Sequence, residues 1–125
     1  MLGYKEDDRL GIIEITVSGR VTAKEFEAVA GRIEAAIARH GKVRVLERIE
    51  DFKGMEARAF WEDLVFSLRH LNDFSRCAVV SDKQWSTIWS ELVGPLMRCE
   101  VEHFSLGEME AARAWLAWPE GAADV

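Results

Sequence analysis

The chain has 125 residues, of which 49% are hydrophobic and 30% are charged, a size and composition typical of one globular domain. Twenty-two acidic and sixteen basic residues give a net charge of −6, which disfavours nucleic-acid binding and purely electrostatic binding to anionic membranes. No stretch reaches the roughly 18 apolar residues of a membrane span and no apolar signal region begins the chain, so we expect a cytoplasmic protein.

Two strands and a helix are predicted at the N-terminal end. The strands are Leu2–Lys5 and Leu10–Val17, and the second alternates apolar and polar residues as a half-covered strand does. Thr22 and Glu25 have the spacing of a capping box, so a helix should begin there. It should run to about residue 40, where Gly41 supplies a left-handed stop.

The middle of the chain predicts a strand, a turn and a second helix. Lys42–Glu50 forms the strand, Asp51–Gly54 the turn, and the helix begins at residue 55 or 56 and ends near Asn72. Phe66 lies on the otherwise charged side of this helix. The remaining apolar positions span an arc of roughly 140°: Ala57, Phe60, Trp61, Leu64, Val65, Leu68 and Leu71.

A central strand and an unusually apolar third helix follow. Cys77–Val80 is a short apolar run typical of a strand buried on both faces. Ser81 and Gln84 form another capping box, and Gly94–Pro95 should kink or end the helix that it begins. The apolar residues of this helix cover roughly 180° of its surface: Trp85, Ile88, Trp89, Leu92, Val93, Leu96 and Met97.

The last strand and helix complete an α/β fold. Glu100–Phe104 is the strand, and a third capping box, Ser105 with Glu108, begins the helix. The order ββαβαβαβα predicts one βαβ-type domain over residues 1–118, with a mixed, mostly parallel sheet flanked by helices. Residues 119–125 are predicted to be a flexible tail.

Polar residues at the strand ends suggest a crevice but no clear chemistry. Ligands of open α/β sheets bind beyond the carboxyl ends of the strands, where Asp51, Asp82 and His103 are predicted to lie. Asp82 and His103 could act as an acid–base pair, although local capping and strand roles explain these residues as well. Cys77 and Cys99 lack metal-ligand spacing, so we expect neither a metal nor a cofactor.

The ordered set of short motifs resembles the SpoIIAA-like family, which is related to the STAS (anti-anti-sigma and sulfate-transporter) domains. The resemblance covers residues 2 to 118, and it depends on the order of the motifs because none is specific alone. The matching segments are Val17–Gly19, Val21–Thr22, Val45–Leu46, Asp51–Gly54, Trp61–Asp63, Arg76–Val80, Asp82, Trp85 and Ala111–Leu116.

The resemblance implies a small βαβ fold without enzymatic activity. Its relation to the lipid-binding CRAL-TRIO domains also implies a hydrophobic ligand or a membrane-associated role. One departure concerns the phosphorylatable serine that classical anti-anti-sigma factors carry at the start of the helix after the equivalent strand. The corresponding segment, Glu50–Glu56, has no hydroxyl residue, and the next one is Ser67, so a phosphorylation switch is not expected.

The Trp-rich second and third helices are the strongest functional feature. Their excess of apolar surface is consistent with an ordinary core, with a homodimer interface, or with a ligand pocket or peripheral membrane contact. We expect a homodimeric regulatory or binding module that takes a hydrophobic or lipid-like ligand. The alternatives are an anti-anti-sigma-like partner-binding protein without phosphorylation and, third, a small enzyme using Asp82 and His103. The candidate ligand-binding residues are Trp61, Val65, Phe66, Trp85, Trp89, Val93 and Met97.

Overall fold

A computed structural model describes residues 1–82 and 99–118 of the chain. The helices are α1 (Ala23–His40), α2 (Ala57–Arg69) and α3 (Met109–Ala117), the last preceded by a 3-10 turn at Leu106–Glu108. The predicted third helix and the predicted tail lie outside the described residues. The strands are β1 (Leu2–Asp7), β2 (Ile12–Val21), β3 (Val43–Met55), β4 (Phe74–Ser81) and β5 (Glu100–Phe104).

The five strands form one sheet in the order β1-β2-β3-β4-β5. β1 pairs antiparallel with β2, whereas the pairs β2–β3, β3–β4 and β4–β5 are parallel. The predicted mixed, mostly parallel α/β sheet is therefore confirmed. No helix within the described ranges combines the length and apolar character needed to cross a membrane.

Helices cover the two faces of the sheet differently. α1 and α2 pack on one face, where Ile13, Val45 and Phe66 belong to the same buried cluster. α3 packs on the other face, where Leu116 contacts a cluster that includes Leu46 of β3. Because neighbouring residues of a strand point to opposite faces of the sheet, each central strand contributes apolar side chains to both cores.

The local signals for helix ends are confirmed at the described positions. The Thr22 hydroxyl accepts a hydrogen bond from the Glu25 amide (3.2 Å), and the Glu25 carboxylate accepts one from the Thr22 amide (3.1 Å). Gly41 ends α1 with φ 80°. Ser105 and Glu108 form the reciprocal bonds of a second capping box.

The predicted turn at residues 51–54 is wrong, because β3 continues through it to residue 55. Phe52 pairs with Gly19 and Gly54 with Arg20, although the ladder is irregular at this point. Asp51 and Gly54 adopt positive φ angles of 52° and 119°. These two residues therefore produce a bulge-like irregularity inside the strand instead of ending it.

The apolar arc of α2 does not face the sheet, so its interpretation as ordinary core is wrong. Phe66, on the side predicted to be charged, is only 8% exposed, and Ala59 on the same side is fully buried. Some polar groups on this side have partners: the His70 Nδ1 atom lies 2.8 Å from the Asp73 carboxylate, and the Asp63 carboxylate is hydrogen-bonded to the Ser67 side chain. Because partnered polar groups can be buried without a large penalty, this side of the helix can pack inward.

Candidate binding site between the first two helices

An open groove with a volume of about 380 Å³ lies between α1 and α2. Its base consists of Ala30 and Phe66, which are both buried. Phe26 packs edge-to-face against Phe66, with ring centroids 5.9 Å apart. This aromatic contact joins the two helices below the groove, so the base of the groove is a fixed apolar surface.

Gly31 of α1 leaves space at the mouth of the groove. It lies in the middle of the helix and also lines the groove. A Cβ atom built on Gly31 would meet nothing within 4 Å, so the backbone itself does not require a glycine there. A larger side chain at this position would extend into the open space at the mouth of the groove.

Charged side chains form the rim of the groove. The Arg58 guanidinium donates to Glu27 of α1 (2.5 Å) and to Glu62 of α2 (2.9 Å), which links the helices at one end. The second carboxylate oxygen of Glu62 is buried without a hydrogen-bond partner among the described residues. Glu34 and Arg69 also line the groove, so the rim offers both signs of charge to a polar group.

The outward side of α2 is an exposed apolar surface. Phe60 is 61% exposed, Trp61 64%, Val65 37% and Leu68 52%. Single exposed apolar residues are ordinary, but several large ones on one helix are typical of an interaction surface. Trp61 and Val65 belong both to this surface and to the lining of the groove, so the two features are continuous.

The structure brings together part of the predicted ligand-binding set. Trp61, Val65 and Phe66 all line the groove. The other predicted members lie outside the described residues, namely Trp85, Trp89, Val93 and Met97.

Sequence reasoning missed the contribution of α1 to this groove. No residue of α1 is among the predicted ligand-binding residues, whereas Phe26 and Gly31 line the groove. The available signal was Gly31 itself, because an interior helical glycine costs about 1 kcal/mol relative to alanine. A helix that keeps such a residue is a candidate for a packing or binding role at that position.

The predicted strand-end residues lie on three different strands or their ends. Asp51 is an exposed residue of the irregular part of β3, and Asp82 is an exposed residue directly after β4. His103 of β5 places its Nε2 atom 3.1 Å from the hydroxyl of fully buried Ser81, and that hydroxyl donates to the Asp82 carbonyl (3.1 Å). This network joins the ends of β4 and β5, and acid–base chemistry by Asp82 and His103 stays a prediction.

Another polar cluster has the spacing of metal ligands but already contains a cation. Donor atoms of Glu6, Asp8 and His40 lie within 4.8 Å of one another. The Arg39 guanidinium pairs with both carboxylates, and its distance to Asp8 is 3.4 Å. Because Arg39 supplies a positive charge to both carboxylates, an exposed ion-pair network explains the cluster without a metal.

Comparison with known proteins identifies a family and a related structure. The model of the SpoIIAA-like family matches residues 12–117. The chain is also similar to the crystal structure of an uncharacterized protein from Shewanella loihica with a SpoIIAA-like fold. The TM-score is 0.76 at 20% sequence identity, covering 93% of this chain and 92% of the other. No curated protein matches the sequence.

Proposed function

Since the chain belongs to the SpoIIAA-like family, we propose that it is a non-catalytic, STAS-like binding module that holds an apolar ligand between α1 and α2. The observation that carries the proposal is the orientation of α2. This helix directs Trp61 and Val65 away from the sheet and towards the groove. An apolar arc that is exposed to water is typical of a binding surface, whereas a buried arc is already covered by the core of the protein.

The size and lining of the groove support a small amphiphile. Its volume of about 380 Å³ lies in the lower part of the range of small-molecule sites, about 300–1,000 Å³. An alkyl chain would contact Phe26, Phe66 and Val65, while its polar end would remain at the charged rim. Glu34 and Arg69 at that rim could interact with head groups of opposite sign.

The proposal can be tested with two probes that differ only in head-group charge. Delipidated protein is titrated with dodecanoate or dodecylamine below their micellar concentrations, and binding is measured by calorimetry and by amide NMR shifts. We expect saturable binding of at least one probe, with the largest shifts in α1 and α2 around Gly31 and Val65. The charge preference would identify which rim residues contact the head group.

A steric block provides the matched control. Gly31→Leu should fill the mouth of the groove and weaken binding at least tenfold, because the open space at its Cβ position would be occupied. Ala38→Leu adds a comparable side chain to an exposed position of α1 that does not line the groove, and it should bind normally. Absence of binding for both probes, or equal affinities of the two variants, would contradict the ligand proposal.

A second candidate function is association through the exposed surface of α2. Four large apolar side chains on that helix, Phe60, Trp61, Val65 and Leu68, support a homodimer. An anti-anti-sigma-like partner is a related alternative, and it would have to bind without phosphorylation because Glu50–Glu56 contains no hydroxyl residue. Peripheral membrane contact through the same side chains would be a further use of this surface.

A further inference from the structure

The aromatic base of the groove between α1 and α2 continues to His70. The Phe66 ring contacts both Phe26 (ring centroids 5.9 Å apart) and the His70 imidazole (4.5 Å). Phe26 and Phe66 line the groove, and His70 directly follows the last residue of α2. The apolar base therefore ends, beside the C-terminal end of α2, in a side chain that can form hydrogen bonds.

The contacts of His70 leave one of its ring nitrogens without a partner. Its Nδ1 atom lies 2.8 Å from the Asp73 carboxylate. Because an ionised carboxylate only accepts hydrogen bonds, Nδ1 carries the proton in the neutral imidazole and Nε2 is an acceptor. Nε2 is buried and has no hydrogen-bond partner among the described residues. A donor that reached this atom would be stabilising.

Glu34 of α1 places a second acceptor beside the same atom. Its carboxylate oxygen lies 4.0 Å from His70 Nε2, which is too far for a hydrogen bond. One nitrogen could donate to both atoms, since each hydrogen bond spans about 2.7–3.2 Å. The Glu34 side chain is 47% exposed and lines the groove, so it can move to admit such a group.

Electrostatics favour a cation at this end of the groove. The charged side chains of the lining are three carboxylates and one guanidinium: Glu27, Glu34, Glu62 and Arg69. Arg58 already donates to Glu27 and Glu62. Within residues 1–82 and 99–118, Glu34 pairs with no lysine or arginine, Arg69 included. The C-terminal end of α2 also favours positive charge, because its last carbonyl groups lack helical partners.

We propose that the groove selects amphiphiles with a primary ammonium head group, which donates hydrogen bonds to the Glu34 carboxylate and to His70 Nε2. The inference rests on the proposed function, because it names the class of ligand that the same groove binds. A primary ammonium has three donors and no acceptor, so it can satisfy both atoms at once. A carboxylate head group would instead add another acceptor beside them.

Three probes with the same alkyl chain separate charge from hydrogen bonding. Dodecylamine is protonated at neutral pH, as lysine is, dodecyltrimethylammonium has the charge without a donor, and dodecanoate has the opposite charge. The delipidated full-length chain is titrated with each probe below its micellar concentration, and binding is measured by calorimetry. We expect dodecylamine to bind about tenfold more tightly than either of the other probes.

The possible outcomes distinguish this inference from the proposed function. Binding of dodecanoate in the groove as tightly as dodecylamine would overturn the ammonium inference and leave ligand binding by the groove standing. Equal binding of dodecylamine and dodecyltrimethylammonium would also overturn it, because the two acceptors would then have no role. Absence of binding for all three probes would contradict both proposals.

Substitutions locate the head group within the groove. Glu34→Gln should weaken dodecylamine binding about tenfold without weakening that of dodecanoate. His70→Phe keeps an aromatic ring against Phe66 but removes Nε2, so it should also weaken dodecylamine binding. Glu27→Gln is the matched control, because Glu27 also lines the groove from α1 but is paired with Arg58. Equal effects of Glu34→Gln and Glu27→Gln would overturn the proposed position of the head group.

Nitrogen-15 NMR of the imidazole gives a direct readout in the unmodified chain. The chemical shift of His70 Nε2 should change when dodecylamine binds, because a free acceptor gains a donor. The internal reference is His40, which lies in the separate polar cluster with Glu6 and Asp8, and its shifts should stay the same. Binding of dodecylamine without a change at His70 Nε2 would overturn the inference.

Discussion

At the scale of single residues, buried Arg76 shows how this fold accommodates a charge. Its guanidinium donates to the carbonyl oxygens of Trp115 (3.0 Å) and Trp118 (2.7 Å), and to the Glu100 carboxylate (3.1 Å). The two carbonyls belong to the C-terminal end of α3, where backbone acceptors lack helical partners and positive charge is favourable. Arg76 thus anchors α3 to β4.

Replacing Arg76 should therefore destabilise the protein strongly. We expect Arg76→Leu to lower the free energy of unfolding by about 2–4 kcal/mol, since carbonyls at the end of α3 lose charged donors. The check is urea denaturation followed by circular dichroism. Glu100→Gln is the control, and its effect should stay below about 1 kcal/mol because Glu100 is largely exposed. Equal effects of the two substitutions would contradict the anchoring role.

At the scale of elements, α2 is amphipathic, but the side that packs inward is not the side with the wider apolar arc. Its most apolar arc faces outward, while Phe66 and Ala59 pack inward. Asp63 accompanies them on the inward side and is partnered by Ser67 within the helix. The contacts of a few inward-facing residues determine how α2 is oriented. The side of the helix that carries more apolar residues is therefore not the side that is buried.

Two identical substitutions within α2 test this orientation. Phe66→Ala should cost about 3–5 kcal/mol of unfolding free energy, because it removes a buried ring between α1 and the sheet. Phe60→Ala should cost less than about 1 kcal/mol, since the Phe60 side chain is mostly exposed. Thermal and urea unfolding of the two variants would measure the difference. A larger loss for Phe60→Ala would mean that the helix is turned the other way.

At the scale of the whole molecule, the parallel strand order determines where the helices lie. The crossovers β2–α1–β3 and β3–α2–β4 step across the sheet in the same direction, so right-handed connections place α1 and α2 on one face. α3 follows the edge strand β5 and packs on the opposite face. The groove between α1 and α2 is thus a consequence of neighbouring parallel crossovers.

The exposed surface of α2 leads to a prediction about assembly. If a second copy covers it, sedimentation velocity should show a dimer, and Leu68→Glu should shift the protein to a monomer by placing charge in the interface. Arg9→Glu introduces the same carboxylate at an exposed loop residue and should leave the dimer intact. A monomer at all concentrations, or dissociation by both substitutions, would exclude dimerisation through α2.

Much of the fold follows from local patterns in the sequence. Alternation in β2, the apolar run of β4 and the capping boxes at Thr22 and Ser105 depend on residues that lie within a few positions of one another. Together with the short connections, they determine the number, type and order of the described strands and helices. The continuation of β3 past Asp51 was not predictable in this way, because it depends on pairing with β2.

The candidate site was predictable only in part. The surplus of apolar side chains on α2, which includes Trp61 and Val65, could be predicted from the sequence because it is a property of one helix. The outward orientation of this surplus and the position of Gly31 of α1 beside the same groove are visible only in the tertiary structure. Each of these depends on contacts between distant segments, which the packing of α1 and α2 on the sheet creates.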